Sequence, residues 1–266
     1  EMGCRVLNVG GHDLAAGADF VLGLSREANF PFISANILGA ESKQTLFPTS
    51  AIIETHDRKL GFVGVSTGDK RLKDFEFADP VEAANRAIAE IKDKVDLIFL
   101  MANVDDTTEK LLAKEVKDID FLIRSNTGSL QRNPTELDDV VIIRIGKQGK
   151  YAGVLHVRSV DKVSKLKNVS SQYTRINFSD NRLAAMAKDL DEGETLEAHY
   201  ADDEKRLQLI SRLRAERQTN VDLIKTLKNS YYLEAIPLNE KVEDTPEVAA
   251  IVAEYMPKAV EPKVRH

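Results

Sequence analysis

Residues Leu7–Asp13 read LNVGGHD, so a short apolar run ends in two glycines that are followed by a histidine and an aspartate. This pattern predicts a strand that ends at a glycine turn, with a helix beginning near Gly17. Open α/β sheets present catalytic groups at the carboxyl ends of their strands. His12 is therefore a candidate catalytic residue, and Asp13 could orient its imidazole. The structural alternative is a glycine turn with a polar helix cap.

The sequence on both sides of this stretch continues the same pattern to about residue 160. Short runs rich in Val, Ile and Phe alternate with amphipathic segments, and several runs are continuously apolar, as in sheets covered by helices. Helical spacing with aspartate caps predicts helices over Ala18–Ala28, Pro80–Lys94 and Asp106–Val116. The fold class is therefore α/β, a layered sheet with flanking helices. The candidate strands are Arg5–Val9, Pro31–Ala35, Ser50–Thr55, Leu60–Ser66, Asp96–Met101, Asp120–Ile123, Val140–Ile145 and Gly153–Arg158.

Two pairs of these strands are predicted to form antiparallel hairpins. Ser50–Thr55 and Leu60–Ser66 flank the turn HDRK, and Val140–Ile145 and Gly153–Arg158 flank GKQGK. The second turn contains glycines and lysines, but it lacks the Gly-x-x-x-x-Gly-Lys-Ser/Thr spacing of a phosphate-binding loop and no helix follows it. It is therefore interpreted as a turn between strands.

The sequence changes character near residue 160, which divides it into an α/β domain, 1–160, and a helical extension with a linker, 161–266. Asn181–Tyr232 is dense in Leu, Ala, Glu, Lys and Arg, and one long amphipathic helix is predicted over Leu196–Ser230. Its apolar stripe must lie on the α/β body, on the preceding helix or on another chain, because so polar a helix is unstable alone. A last short helix is predicted over Pro246–Tyr255, before a tail with Pro and Lys residues.

Charge and composition exclude several classes of function. With 37 basic and 43 acidic side chains the net charge is −6, which disfavours nucleic acid and anionic membranes as partners. The single cysteine, Cys4, excludes an internal disulfide and a cysteine-rich zinc site. No apolar run is long enough for a membrane span, and the first residues lack the pattern of a signal peptide. His56, His156 and His199 stand apart from other ligand types and form no metal-binding spacing.

Several segments together resemble the bacterial 5′-nucleotidase and UDP-sugar hydrolase branch of the calcineurin-like metallophosphatases. They occur in that family's order and at about its spacing, over roughly the first 160 residues. The resemblance implies that family's layered α/β fold and, because the family is mostly periplasmic or extracellular in bacteria, the same localisation. The matching segments are Leu7–Asp13, Gly17–Phe20, Ala28–Ile37, Lys59–Thr67, Val95–Leu100, Asp118–Ile123 and Gly149–Gly153.

The same resemblance implies that the metal site is degenerate. Enzymes of the family hold two divalent metal ions with Asp-x-His, Gly-Asp, Gly-Asn-His-Asp/Glu, a lone His and Gly-His-x-His, and this sequence starts after the first two motifs. His12 and Asp13 match the leaving-group acid and its neighbour. Every other position that can be compared has lost its ligand: the bridging Asn is Gly11, the lone His is Asn103, and the last two histidines are Asn126 and Gly128.

The expected function follows from these substitutions. Two-metal sites use their ions to generate hydroxide and to neutralise charge on the phosphoryl group, and acid catalysis by His12 alone supplies only about 10² to 10⁴-fold. We therefore expect no metal cofactor and a non-catalytic scaffold or binding domain. The alternative is a metal-dependent 5′-nucleotidase or phosphoesterase with unusual ligands.

The C-terminal segment adds a hypothesis about partners. Val242–Val248, continuing to Tyr255, is similar to segments that join nucleotidase-like domains to multihaem cytochrome c domains. The resemblance implies that the chain could be the non-haem part of a cytochrome-type protein, with helix 196–230 docking a partner. A helical arm that packs on its own domain or self-associates is the alternative.

Overall fold

The computed structural model describes residues 3–68, 71–125, 128, 130–158, 161, 164–239 and 242–255. In chain order the helices are α1 (Ala18–Glu27), α2 (Pro80–Ile91), α3 (Asp106–Glu115), α4 (Ser170–Met186), α5 (Leu196–His199), α6 (Glu204–Thr226) and α7 (Pro246–Tyr255). The strands are β1 (Leu7–Asn8), β2 (Phe32–Ile33), β3 (Ile37–Gly39), β4 (Ser50–Glu54), β5 (Lys59–Ser66), β6 (Phe75–Phe77), β7 (Leu97–Asn103), β8 (Phe121–Arg124), β9 (Thr135–Leu137), β10 (Val140–Arg144), β11 (Tyr151–Arg158), β12 (Lys167–Asn168) and β13 (Ser230–Pro237).

The largest sheet has six strands in the order β4-β5-β7-β8-β10-β9. The central strands β5, β7, β8 and β10 run parallel, and β4 and β9 add antiparallel at the two edges. The predicted hairpin of β4 and β5 is confirmed, with Ser50 opposite Val63 and Glu54 opposite Lys59. The α/β prediction is thus correct, and the parallel strands place their carboxyl ends along one edge of the sheet.

Helices α2 and α3 cover one face of this main sheet. Asp79 caps α2 by accepting hydrogen bonds from the backbone N–H groups of Val81 and Glu82, and Pro80 occupies the first turn, where no donor is needed. The buried face of α2 consists of alanine and isoleucine side chains: Ala83, Ala84, Ala87, Ile88 and Ile91. These residues join the strand side chains of that face in one continuous core.

The opposite face of the main sheet carries a row of aromatic rings. Phe62, Phe99 and Phe121 stand in register on β5, β7 and β8, with successive ring centroids 5.0 Å apart. Tyr231 of β13 packs its edge against Phe121. A three-stranded sheet, β11-β13-β12, supplies this second layer.

Strand β13 corrects the expectation that the strand signal ends near residue 160. Its eight residues pair antiparallel with all eight residues of β11, and Tyr231 and Leu233 are buried in the same apolar cluster as Phe99 and Phe121. Only Leu227–Asn229 separate the strand from a long polar helix, so the helical pattern obscured it. The division of the chain at residue 160 stays a prediction.

The second predicted hairpin is wrong. β10 pairs with β8 and β9 in the main sheet, whereas β11 pairs with β13 in the second layer. The connecting segment contains three positive φ angles, at Gly146, Gln148 and Gly149. Positive φ angles redirect the chain, and here they carry it from one layer to the other.

The long helix predicted over Leu196–Ser230 is divided. Thr195 caps the short α5, and Asp203 caps α6 by accepting from the backbone N–H of Arg206. The apolar stripe of α6 faces α4, the preceding helix, where Ile210 packs with residues of α4 and α5. An ion pair of 2.6 Å between Arg217 and Asp180 also joins the two long helices. The apolar stripe of α6 thus lies on the preceding helix, one of the three surfaces that the sequence leaves open.

The last described element, α7, begins and ends where the sequence predicts. Within the described segments, no helix combines the length and the apolar character that crossing a membrane requires.

Candidate functional site

The LNVGGHD stretch lies over the carboxyl ends of the central strands. The Asn8 side-chain amide donates to the carbonyls of Val65 and Met101, at 3.1 and 3.0 Å, and so ties β1 to both β5 and β7. The Ser66 hydroxyl donates to the Val9 carbonyl at 2.6 Å. These buried and half-buried hydrogen bonds fix the start of the glycine turn at the edge where α/β sheets present functional groups.

His12 and Asp13 are both exposed in this turn. The Asp13 carboxylate accepts a hydrogen bond of 2.8 Å from the backbone N–H of Gly10, and the Asp13 N–H donates to the Gly10 carbonyl. The aspartate thus closes the turn on itself, and α1 begins after Gly17 without a side-chain cap. An orienting role toward His12 remains a prediction.

Gly11 has room for a side chain. A Cβ placed there would meet the Thr67 carbonyl oxygen at 3.8 Å and a Leu72 methyl carbon at 3.9 Å, which are ordinary contacts. The glycine is therefore not required by crowding. The glycine instead affects the chemistry of the turn, because it has no side chain that could act as a ligand.

Asn103 ends β7 beside the glycine turn. Its side-chain amide donates to the Ser125 hydroxyl at 2.8 Å, and its backbone carbonyl accepts from the Thr67 N–H at 2.9 Å. A Cβ on Gly10 would lie 3.0 Å from the Asn103 amide nitrogen, so the amide packs directly on the turn. The structure therefore brings together Gly10, Gly11, Asn103 and Ser125. Asn126 lies outside the described residues, and Gly128 borders open space.

Among the described residues, these groups supply few ligands for a pair of divalent metal ions. The donor set consists of one imidazole, one carboxylate with an oxygen engaged by Gly10, an amide and a hydroxyl. Amide and hydroxyl oxygens are weak ligands compared with imidazole and carboxylate, and two-metal centres need several anionic ligands for charge balance. No step through a metal follows from this arrangement.

Three other described histidines, His56, His156 and His199, lie in separate parts of the fold. His56 is in the exposed turn between β4 and β5. His156 of β11 stacks on Tyr232 with ring centroids 4.1 Å apart. His199 pairs with Glu194 at 3.0 Å, and this hydrogen bond lowers the pKa of the Glu194 carboxyl.

An ionic network at the carboxyl ends of β8 and β10 was not predicted from the sequence. Glu109 of α3 is 2% exposed and accepts from Arg144 of β10 at 2.7 Å and from Arg124 of β8 at 3.2 Å. Arg124 also donates to the Val104 carbonyl and pairs with Asp106, and its hydrogen bond lowers the pKa of the Asp106 carboxyl. The sequence signal for this network is an arginine at the end of each of two apolar strands. An arginine in such a position needs a nearby anion, which predicts a carboxylate partner.

Comparisons with known proteins find relatives for part of the chain. A 113-residue part of the chain is 27% identical to a 5′-nucleotidase of Vibrio vulnificus, covering 39% of the chain and 20% of that protein. A 143-residue part is 23% identical to an uncharacterized metallophosphoesterase, YunD, of Bacillus subtilis, covering 52% of the chain and 31% of that protein. The chain therefore spans only about a fifth to a third of the length of these curated relatives.

A solved structure supports the fold. The calcineurin-like phosphoesterase YfkN of Bacillus subtilis superposes with a TM-score of 0.52 at 22% identity, covering 57% of each chain. No protein-family model matches the sequence. Together with the curated relatives, this structure confirms the resemblance to the 5′-nucleotidase branch of the calcineurin-like phosphoesterases.

Proposed function

We propose that this relative of the calcineurin-like phosphoesterases is a non-catalytic binding or scaffold domain that has lost the two-metal site. The observation that carries the proposal is the chemistry of the strand ends, where Gly11, Asn103 and Gly128 stand in place of ligands. Asn103 donates a hydrogen bond to Ser125, and Asp13 accepts one from the Gly10 N–H. The proposal thus rests on the identity of these side chains and on their contacts.

The glycine turn and the neighbouring strand ends retain polar groups that suit a ligand. His12 is exposed, Ser125 and Asn103 supply neutral polar groups, and Gly11 leaves the turn uncrowded. Neutral donors of this kind hold a polar ligand in position but provide neither a nucleophile nor an electrophile. Binding without turnover is the behaviour that they support.

Metal content and turnover test the proposal together. The full chain is loaded with Mn²⁺, desalted and measured by mass spectrometry, and then assayed with a generic phosphodiester and with a nucleoside monophosphate. We expect substoichiometric metal and no turnover above that of the Mn²⁺ buffer. Two ions per chain, with turnover that disappears in His12→Ala, would establish the competing function, a metal-dependent phosphoesterase.

The wider setting of the domain is a further part of this proposal. The resemblance supports a periplasmic or extracellular location and a place beside a cytochrome domain. In the structure, α7 has no buried residue, and Ile251 and Tyr255 are 57% and 74% exposed. An exposed apolar helix of this kind is suited to contact a partner. We expect the full-length native protein to show haem absorbance; a full-length protein without bound haem would contradict this part of the proposal.

A further inference from the structure

A groove of about 540 Å³ lies between the main sheet and the second layer. One wall is strand β11, which contributes Leu155 and Val157. The floor is the aromatic face of the main sheet, including Phe62 and Leu60 of β5. The second layer covers the β8 end of this face through Tyr231 but leaves the β5 end open.

The groove runs beside an unpaired strand edge. β11 forms the edge of the three-stranded sheet, and its only strand partner among the described residues is β13. Edge strands are usually protected by lysine, proline or a bulge. Tyr151–Val157 contains neither lysine nor proline and pairs without interruption. The edge therefore offers backbone donors and acceptors directly above an apolar floor.

Both ends of the β11 edge are basic. Lys147 and Lys150 precede the strand and are exposed, and Arg158 ends it at the rim of the groove. Within the described part of the chain, none of the three forms an ion pair with a carboxylate; Arg158 donates to the Leu227 carbonyl. Among the described residues that line the groove, Asp57 is acidic, and Arg58 and Arg158 are basic. In a protein of net charge −6, this is a local excess of positive charge.

We propose that this groove binds an extended peptide segment of a second protein, with an apolar centre and acidic ends, as an additional strand beside β11. Such a strand would pair with the open backbone edge about 4.8 Å from β11 and place alternate side chains on Phe62 and Leu60. Its acidic ends would meet Lys150 and Arg158. The basic residues thus favour a peptide with acidic ends, and the apolar floor favours a peptide with apolar side chains at alternate positions.

A second copy of this chain does not fit the same position. The floor beneath the groove is formed by β5, which continues to β4 beyond the reach of the second layer. A second copy that paired its own β11 there would bring its own β5 and β4 into the same layer, about 10 Å below the paired strands. The groove therefore accommodates a single strand and excludes a two-fold pairing of β11.

Binding of defined peptides to the full chain tests the inference. The probe is a fluorescent seven-residue peptide in which valine and threonine alternate between a glutamate at each end, followed by fluorescence anisotropy at low ionic strength. We expect saturable binding, and binding weaker by about tenfold for the same peptide with lysine ends. No binding of the glutamate peptide, or equal binding of both, would overturn the proposal.

Variants on the two faces of β11 locate the binding. Leu155→Asp, which points into the groove, should weaken binding by about tenfold or more, whereas Val154→Asp on the opposite face should change it by less than about twofold. Equal effects of the two variants would contradict the proposed site. Because Leu155→Asp could impair folding, Arg158→Glu provides a second test: it should shift preference from the glutamate peptide toward the lysine peptide. An unchanged preference would also overturn the proposal.

Discussion

Glu109 is the shared partner of the ion pairs with Arg124 and Arg144. Its carboxylate is buried between Arg124 and Arg144, and removal of one partner of a buried pair leaves uncompensated charge. Glu109→Gln should therefore lower the free energy of unfolding by about 3 to 5 kcal/mol. Urea denaturation near neutral pH measures this loss. Glu115→Gln, at an exposed position of the same helix, is the control and should have little effect.

Gly64 is required by the close approach of β1 to the main sheet. A Cβ there would collide with the Asn8 side chain and lie 3.0 Å from the Ile33 Cγ1. Gly64→Ala should lower stability by about 1 to 3 kcal/mol, as overpacking does, and should disturb the hydrogen bonds of Asn8. Gly11→Ala, where a Cβ has room, is the matched control. Equal thermal midpoints for the two variants would show that β1 moves freely.

Helix α3 depends at its start on the cap supplied by Asp105. Its carboxylate accepts from the backbone N–H of Thr108 at 2.8 Å, and this hydrogen bond lowers the pKa of the Asp105 carboxyl from 3.8. Asp105→Ala should cost about 1 kcal/mol near neutral pH. A lowered pKa contributes stability that is present above the unfolded value and lost as the pH falls through the folded value. The difference from the parent chain should therefore shrink under acid, unlike that of the exposed control Asp202→Ala.

Strand β13 is joined to the main sheet by Tyr231. Burial, followed by a hydrogen bond of 2.8 Å to Glu136, raises the pKa of the Tyr231 hydroxyl above its ordinary value of 10.0. A raised pKa contributes stability that is present below the unfolded value and lost as the pH rises above it. Between about pH 8 and about pH 11 the parent chain should lose more stability than Tyr231→Phe. Tyr255→Phe, at an exposed position, should follow the parent chain.

Over the whole molecule, β13 makes residues beyond 160 part of the α/β core. It covers Phe121 and pairs with the full length of β11. A chain that ends at residue 160 should therefore lose cooperative unfolding and bind a hydrophobic dye, whereas one that ends at residue 239 should unfold cooperatively near the parent midpoint. Calorimetry of the two chains distinguishes these outcomes. Cooperative unfolding of the shorter chain would support the division at residue 160.

Local patterns determined much of this architecture. The apolar runs of the central strands, the aspartate caps of α2 and α3, and the strand-to-glycine pattern of LNVGGHD each lie where the sequence predicts. The resemblance also predicts that Gly11 and Asn103 replace metal ligands, and the structure places the Asn103 amide against the glycine turn. These features depend on short-range periodicity and side-chain chemistry, which neighbouring residues set.

Long-range pairing was decided only by the tertiary structure. The residues of β11 pair with residues 72 to 86 positions away, from Arg158 with Ser230 to Tyr151 with Pro237, so adjacency in sequence favoured the wrong hairpin. The ion pairs of Glu109, the engagement of Asn103 by Ser125 and the open edge of β11 likewise join residues that are distant in the chain. The sequence by itself determined the central strands and the caps of α2 and α3, because both depend on local patterns. Their layers and contacts arise from packing among distant segments, which no local pattern encodes.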